Sequence, residues 1–424
     1  MKRVVYSLLV WLLLPLWLLR IAVRGARQRG YWRQPLERLG FYRFRPTRPV
    51  LWLHAVSVGE TRACQPLVRA LRQRWPESEI LLTHGTPTGL ATGQTLFGDQ
   101  VMQAWLPYDD PLSTGRFVRH FRPVAGLIME TELWPNLFFA CRDAGVPLLL
   151  VNGRLSERSF LRYRRAAGLM YAVLSCLCAV GAQSPDDAER LEKLGAPSVT
   201  LTGNLKFDTD PPAIQLALGE VWRTACAGRR IWLAASTREG EEALALDALV
   251  EMAAPEVLLV LVPRHPQRFD AVAREIAARG LRYVRRSRDE LPDVATRVWL
   301  GDSMGEMFAW YRLADLALIG GSLLPYGGQN LIEAAAVGCP VLIGPHRWNF
   351  AAASRDAIAC GAAVELTDLA QLAGTVGRLL SDPARLTGMA QAALRFARSH
   401  RGAAARTLAL VEDCLAETAR ETGT

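Results

Sequence analysis

At 424 residues the chain exceeds what one ordinary core holds and suits two domains of roughly 150 to 200 residues. Half of it is hydrophobic, so burial does not limit folding, and the eight cysteines include no CxxC pair, which fits a reducing compartment rather than a secreted disulfide framework. The net charge of +9 is concentrated: residues 1–50 hold eleven Lys and Arg against one acid, Glu37, while the rest holds 39 basic and 40 acidic residues. A nearly neutral body excludes a nucleic-acid protein, whose basic stripe would lie on the folded surface, and directs the basic arm toward anionic lipid.

Lys2-Arg3 precede an uncharged run from Val4 to Leu19, then Arg20 and Ile21-Ala22-Val23. That is about the 20 residues a spanning helix needs, provided Arg20 snorkels. A cleaved signal peptide is the rival, but it requires a small-x-small site before a neutral mature start, and here Arg24, Arg27, Arg29 and Arg33 follow. Positive charge stays cytosolic. The expectation is an uncleaved anchor with its basic arm over residues 1–48, spanning or lying in one leaflet, and a cytoplasmic body.

From Pro49 apolar runs alternate with helical periods, the pattern of a doubly wound α/β domain. Strands are predicted at Val50–Ala55, Glu79–Thr83, Val101–Trp105, Val124–Met129, Pro147–Asn152, Ala179–Ala182 and Ser198–Thr202, with helices between them such as Glu60–Arg74 and Pro185–Leu194. These make a first domain of 49–206. Phe207 to Gly219, with its Pro-Pro pair, reads as a linker. A second domain, 220–400, carries strands at Ile231–Ala235, Val257–Pro263, Arg297–Gly301, Asp315–Gly320, Val341–Gly344 and Ala363–Leu366, and 401–424 is a helical tail. The halves open alike: Trp52 to Ser57 leads to Glu60, and Trp232 to Thr237 leads to Glu239. Two Rossmann-like domains with this plan place a ligand in the cleft that their strand C-termini face. Cys176 and Cys178 read as buried small hydrophobes.

The chemistry-bearing residues fall at predicted strand ends. From Ala317 to Phe350 run a strand, a Gly-rich loop, a short helix opening at Gln329-Asn330, a Gly-Cys-Pro turn and a second strand. Gly320, Gly321, Gly327 and Gly328 remove Cβ atoms where backbone would approach a ligand, and the helix start suits a phosphate. Glu333 is at i+3 from Asn330, on the same face; together they can read phosphate or sugar and ribose hydroxyls. The alternative is an ordinary glycine-rich βα turn. Glu60, after the first strand, can serve as a general base or as a capping charge at a helix start. Glu130 and Glu132 leave the fourth strand. Lys206 follows the last strand of the first domain, where it can neutralise developing negative charge or be solvated surface. Arg158, Arg162 and Arg165 share a helix face near Arg154 and Arg164, fit either for acceptor phosphates or for solvent. Pro263-Arg264-His265-Pro266 and Asp302 to Glu306 close two strands of the second domain. Asp208-Thr209-Asp210 mimics a DxD metal motif, but in a linker. With no HxxxH, HExxH, P-loop or GxGxxG, no metal or cofactor is expected.

Together these segments resemble the Kdo (3-deoxy-D-manno-octulosonic acid) transferases of lipopolysaccharide biosynthesis over essentially the whole chain. The resemblance rests on the anchor, LWLHAVSVGE at 51–60, METELWPN at 129–136, VNGRLSERSF at 151–160, TGNLKFD at 202–208, VPRHPQRF at 262–269, GDSMGE at 301–306 and the Gly-rich stretch ending at Phe350. It implies a GT-B glycosyltransferase fold of two Rossmann-like domains. It implies inverting transfer of Kdo from CMP-Kdo to the 6′-hydroxyl of lipid IVA, at the cytoplasmic side of the inner membrane, without a metal. By the same resemblance Glu60 is the general base, and Glu130 and Lys206 stabilise the transition state. Pro263, Arg264, Met304, Gly305, Glu306, Asn330, Leu331, Ile332 and Glu333 bind CMP; acceptor phosphate falls to Arg154, Arg158 and Arg162. A GT-B transferase using another nucleotide sugar on a membrane lipid, and a membrane-tethered scaffold with a decayed site, are the alternatives.

Overall fold

The structure, a computed structural model, describes residues 2–226 and 228–422. It divides into two compact units: residues 1–209 with 401–424, and residues 210–400.

In the first unit seven strands form one sheet: β1 (Val50–His54), β2 (Glu79–His84), β3 (Met102–Trp105), β4 (Ala125–Met129), β5 (Leu148–Gly153), β6 (Leu177–Ala182) and β7 (Val199–Leu201). They lie in the order β3-β2-β1-β4-β5-β6-β7, and each pair is parallel. Parallel strands need crossovers that cover both faces, which is why β1 and β4 are buried throughout. The core on one face gathers Trp52, Phe117, Phe121 and Phe138; the other gathers Leu53, Leu67, Leu127 and Val411. Trp52 meets Phe117 edge-on at 4.8 Å, and its indole N–H donates to the Thr83 hydroxyl at 2.8 Å. Gly126 is required opposite it: a Cβ there would lie 2.7 Å from the Trp52 ring.

The second unit repeats the plan with β8 (Arg230–Thr237), β9 (Val257–Pro263), β10 (Tyr283–Arg285), β11 (Val298–Leu300), β12 (Leu316–Ile319), β13 (Val341–Ile343) and β14 (Ala363–Glu365). Their order is β10-β11-β9-β8-β12-β13-β14, again parallel throughout. Strand β10 was not expected: three half-buried residues at the sheet edge, flanked by Arg282 and Arg286, leave no apolar run to read. The expected single helix Glu60–Arg74 is two, Val58–Ala63 and Gln65–Arg74, because Pro66 starts a new helix.

The segment expected as a linker is only partly one. Residues 213–225 form helix Ala213–Ala225, seated on the second unit by Trp222, whose ring lies 5.2 Å from Trp299 and 4.1 Å from Trp310. Arg223 reinforces it with two 3.0 Å bonds to the Asp315 carboxylate. The tail forms helix Ala403–Thr422 on the first unit, against helix Gln65–Arg74 and β6, and Cys414 is disulfide-bonded to Cys178. Cys178 is therefore a cross-link and not a simple hydrophobe; the two cysteines are 236 residues apart, beyond any spacing rule. Cys176 is a free, half-buried thiol.

The basic arm is also partly folded. Arg38 is buried beneath the Trp105 ring at 4.1 Å, beside Glu37, which accepts from the Trp105 N–H at 3.0 Å. Ahead of it, helix Lys2–Arg27 includes a 24-residue stretch, Arg3–Ala26, long and apolar enough to cross a membrane.

The DxD look-alike is a helix cap. The Asp208 carboxylate accepts from the backbone N–H of Gly402 at 2.7 Å and of Ala404 at 2.6 Å, satisfying donors that a helix start leaves open. Asp208→Ala is expected to lower stability by about 1 to 2 kcal/mol, read as a reduced urea midpoint with unchanged slope.

Candidate active site

In the first unit the sheet order reverses between β1 and β4, the point where ligands bind in such sheets, and both strands deliver a glutamate there. Glu60 is the third residue of helix Val58–Ala63. Its carboxylate accepts from the Val56 N–H at 2.9 Å and the Ser57 hydroxyl at 2.8 Å, while the Ser57 oxygen accepts the Glu60 N–H, a variant of the capping box. Glu60 is buried. Burial first, then the charge of Glu130, with a smaller part from Glu132, raises its carboxyl from 4.5 to about 7, against the lowering effect of those two hydrogen bonds. A group balanced near neutral pH can both take and hold a proton.

Glu130 leaves β4 in a left-handed conformation, φ 55°, pinned by its N–H to the Val151 carbonyl at 3.0 Å. The Lys206 ammonium lies 3.4 Å from its carboxylate. Lys206 sits on a tight turn, Leu205–Asp208, fixed by the Asn204 side chain to the Lys206 N–H and by the Asn152 side chain to the Leu205 N–H, each at 3.0 Å. Three residues distant in sequence thus share one sheet edge. The Glu132 carboxyl is also raised, chiefly by burial. Arg158, Arg162 and Arg165 line one open hollow on helix Glu157–Arg164 with Ser159 and Leu161. Arg154 lies apart, half-buried at the exit of β5 and near Asp187, whose carboxyl burial raises on balance although Arg154 works against that rise.

In the second unit the reversal falls between β8 and β12. Pro263 ends β9, and Arg264 is exposed with its N–H bonded to the Thr237 carbonyl at 2.9 Å. Burial, then Arg238, Arg264 and Arg268, hold the His265 imidazole below its ordinary value, so these cations crowd one edge. Arg238, which sequence reasoning passed over, stacks 4.6 Å above the Tyr326 ring. Met304 is exposed, and Gly305 has a positive φ of 86° with open space at its Cβ position. Glu306 pairs with Arg286 at 2.8 Å. The Asn330 oxygen accepts the Ile332 N–H at 3.0 Å and its amide donates to Glu333 at 3.1 Å, so the two polar residues do face one another. Leu331 and Ile332 are buried; a ligand there would meet their backbone only. The helix begins at Ile332 rather than Gln329 and runs five residues.

The glycine-rich loop departs from expectation. The N–H groups of Gly321, Leu323 and Leu324 donate to the buried Glu241 carboxylate, at 2.5, 2.9 and 3.4 Å, and that of Arg238 does so at 2.8 Å. A protein carboxylate thus takes the N–H groups in the first part of the loop, ahead of the helix start where a phosphate was expected. Gly320 and Gly327 serve packing: added Cβ atoms would strike the Ser236 carbonyl and the Trp348 indole. The internal repeat likewise matches Glu60 with Glu241, not with Glu239, which pairs at the surface with Arg268. Only the fold brings Glu241 to this loop, so spacing gave no sign of it.

A family model described as "3-Deoxy-D-manno-octulosonic-acid transferase (kdotransferase)" matches residues 33–209. A 3-deoxy-D-manno-octulosonic acid transferase of Bordetella pertussis is 44% identical, covering 98% of this chain and 100% of its own. One of Haemophilus influenzae is 36% identical, covering 98% and 99%. Among solved structures, a glycosyltransferase of Rickettsia africae superposes with a TM-score of 0.61 at 11% identity, over 87% of this chain and 99% of its own. Anabaena HepE, solved with UDP, gives 0.59 at 16%, over 86% and 99%. Both show the GT-B fold alone.

Two outcomes are expected. Because Glu60 holds its proton more tightly folded than unfolded, its ionisation costs stability as pH rises from about 4.5 to about 7. Glu60→Gln should therefore gain on the parent by about 1.4 kcal/mol per pH unit across that window and no further above it, as followed by urea unfolding from pH 4 to 8. Glu241→Ala, leaving buried N–H groups of the loop without their acceptor, should cost about 2 to 3 kcal/mol, read from the same unfolding curves at pH 7.

Proposed function

The chain belongs to the 3-deoxy-D-manno-octulosonic acid transferase family and is an enzyme of the GT-B fold, and from that premise we propose that it moves Kdo from CMP-Kdo to the 6′-hydroxyl of lipid IVA. The observation that carries the reading is the Glu60 carboxyl, buried beside Glu130 and balanced at about 7. In the proposed reaction the ionised Glu60 takes the proton of the acceptor hydroxyl. That oxygen forms a bond to the anomeric carbon of Kdo, the bond from that carbon to the phosphate oxygen breaks, and CMP leaves with the electron pair. One displacement inverts the anomeric configuration.

Lys206, held near Glu130, would meet negative charge developing beside the base. In the second unit Arg264 would offset the CMP phosphate, with Arg238 close by, while Asn330 and Glu333 would read the nucleotide. The exposed arginines of helix Glu157–Arg164 suit the phosphates of a lipid acceptor. Metal independence is part of the proposal: cationic side chains, rather than a divalent ion, would carry the leaving-group charge. The apolar N-terminal helix and the basic arm support a membrane location, proposed as the cytoplasmic face of the inner membrane.

The test mixes detergent-solubilised protein with CMP-Kdo and lipid IVA in EDTA and reads products by mass. A gain of one or two Kdo units is expected. No gain while CMP still binds would sink the acceptor assignment, and inhibition by UDP in place of CMP would sink the donor. Glu60→Gln should lower kcat by about 10²- to 10⁴-fold. In the parent, kcat/KM should rise with pH up to about 7 and flatten above it, since only ionised Glu60 accepts the proton.

A further inference from the structure

The N-terminal helix, though long enough to cross a bilayer, is fastened to its own unit at several points, most firmly in its first three turns. Near its start Arg3 pairs with Asp143 at 2.9 Å and lies 4.8 Å over the Phe139 ring. One turn on, the Tyr6 hydroxyl donates to the Asp109 carboxylate at 2.7 Å and the Ser7 hydroxyl to the Asn136 side chain at 2.8 Å. This seat is built in. Asp109 and Asn136 are 1% exposed; Asp109 also accepts the N–H groups of Asn136 and Leu137 at 3.2 and 2.8 Å, and the Asn136 amide donates back to the Asp109 carbonyl at 2.7 Å. Further along, Val10 is buried, Trp17 stacks on Tyr108 at 6.4 Å, and Gly25 is buried against the Trp32 indole.

At about 100° per residue, Arg3, Tyr6, Ser7, Val10, Trp17 and Gly25 make one continuous stripe. From Arg3 to Gly25 it runs about 33 Å, as long as the hydrocarbon core of a bilayer is thick, about 30 Å. The opposite face carries Val4, Leu8, Leu12, Leu16, Leu19 and Val23, each 54 to 73% exposed. Water-soluble units rarely leave such a row bare, and where one is exposed it marks a protein or membrane contact. Arg20, Arg24, Arg33, Arg43, Arg45 and Arg48 are exposed around its C-terminal end and the arm that follows, which fits anionic headgroups.

We propose that this helix does not span the membrane but lies in its plane, its docked stripe on the first unit and its opposite face sunk into one leaflet of anionic lipid. A spanning arrangement would have to strip the stripe from its seat, leaving the Asp109 carboxylate without its Tyr6 partner, or draw polar protein into hydrocarbon. The inference rests on the membrane reading of the preceding section but is separable from it.

The test reconstitutes the full chain, with Cys176→Ala and Cys360→Ser, into vesicles of four parts phosphatidylethanolamine to one of phosphatidylglycerol. Nitroxides are introduced singly at Val4, Leu12 and Leu19, and depth is read from collisions with oxygen against a water-soluble nickel chelate. The in-plane arrangement predicts three shallow depths, all within about 10 Å, one helix diameter. Leu12 at the midplane with Val4 and Leu19 near opposite surfaces would overturn it while leaving the membrane reading intact. Failure to bind the vesicles, with dimers in sedimentation, would overturn both and assign the face to a second copy.

Discussion

Parallel strands cannot be joined by tight turns, so each must be followed by a crossover that returns over a face of the sheet. In both units this one constraint sends every loop after a strand to the same edge. Where the order reverses, between β1 and β4 and between β8 and β12, successive crossovers leave on opposite faces and open a gap. Glu60 and Glu130 emerge at the first gap, Glu241 and Gly321 at the second. Nothing local to these residues brings them together; the winding of the sheets does.

The two gaps use the same device for different ends. Each begins with a buried glutamate close to a helix start, collecting backbone N–H groups. Glu241 is wholly buried and accepts four of them, which fixes the loop over β12 and suits a structural role. Glu60 accepts one N–H and one hydroxyl and has Glu130 and Glu132 for neighbours. Like charge and desolvation raise its proton affinity where hydrogen bonds would lower it. The balance between donors and neighbouring charge therefore separates a positioning carboxylate from one fit to exchange a proton.

Much of this was legible in residue order, because a strand buried on both faces must be an apolar run and a helix between sheets must carry an apolar period. The strands around Trp52, Leu127 and Leu259 were read nearly to their ends for that reason. Strand β10 was not, since an edge strand of three half-buried residues needs no such run. Pro66 divided a helix in two, and Trp222 drew part of an expected linker into a helix, because a large ring gains more by joining Trp299 and Trp310 than by remaining in solvent. The candidate positions were legible from the order of strands: Glu130 and Arg264 directly follow one, and Glu60, Lys206, Asn330 and Glu333 lie in the segments that leave one.

By itself the sequence determined the α/β class, the two-part plan, the apolar helix ahead of a neutral body and the family, since each follows from periodicity, charge distribution or ordered motifs along the chain. Tertiary structure alone decided which groups face one another. It set Glu241 against the glycine-rich loop, joined Cys178 to Cys414, turned Asp208 into a cap for the last helix and set Tyr6 against Asp109. The reason is common to all four. Each pairs groups between 80 and 236 residues apart, and hydrogen bonds and disulfides depend on separation in space, which no local pattern encodes.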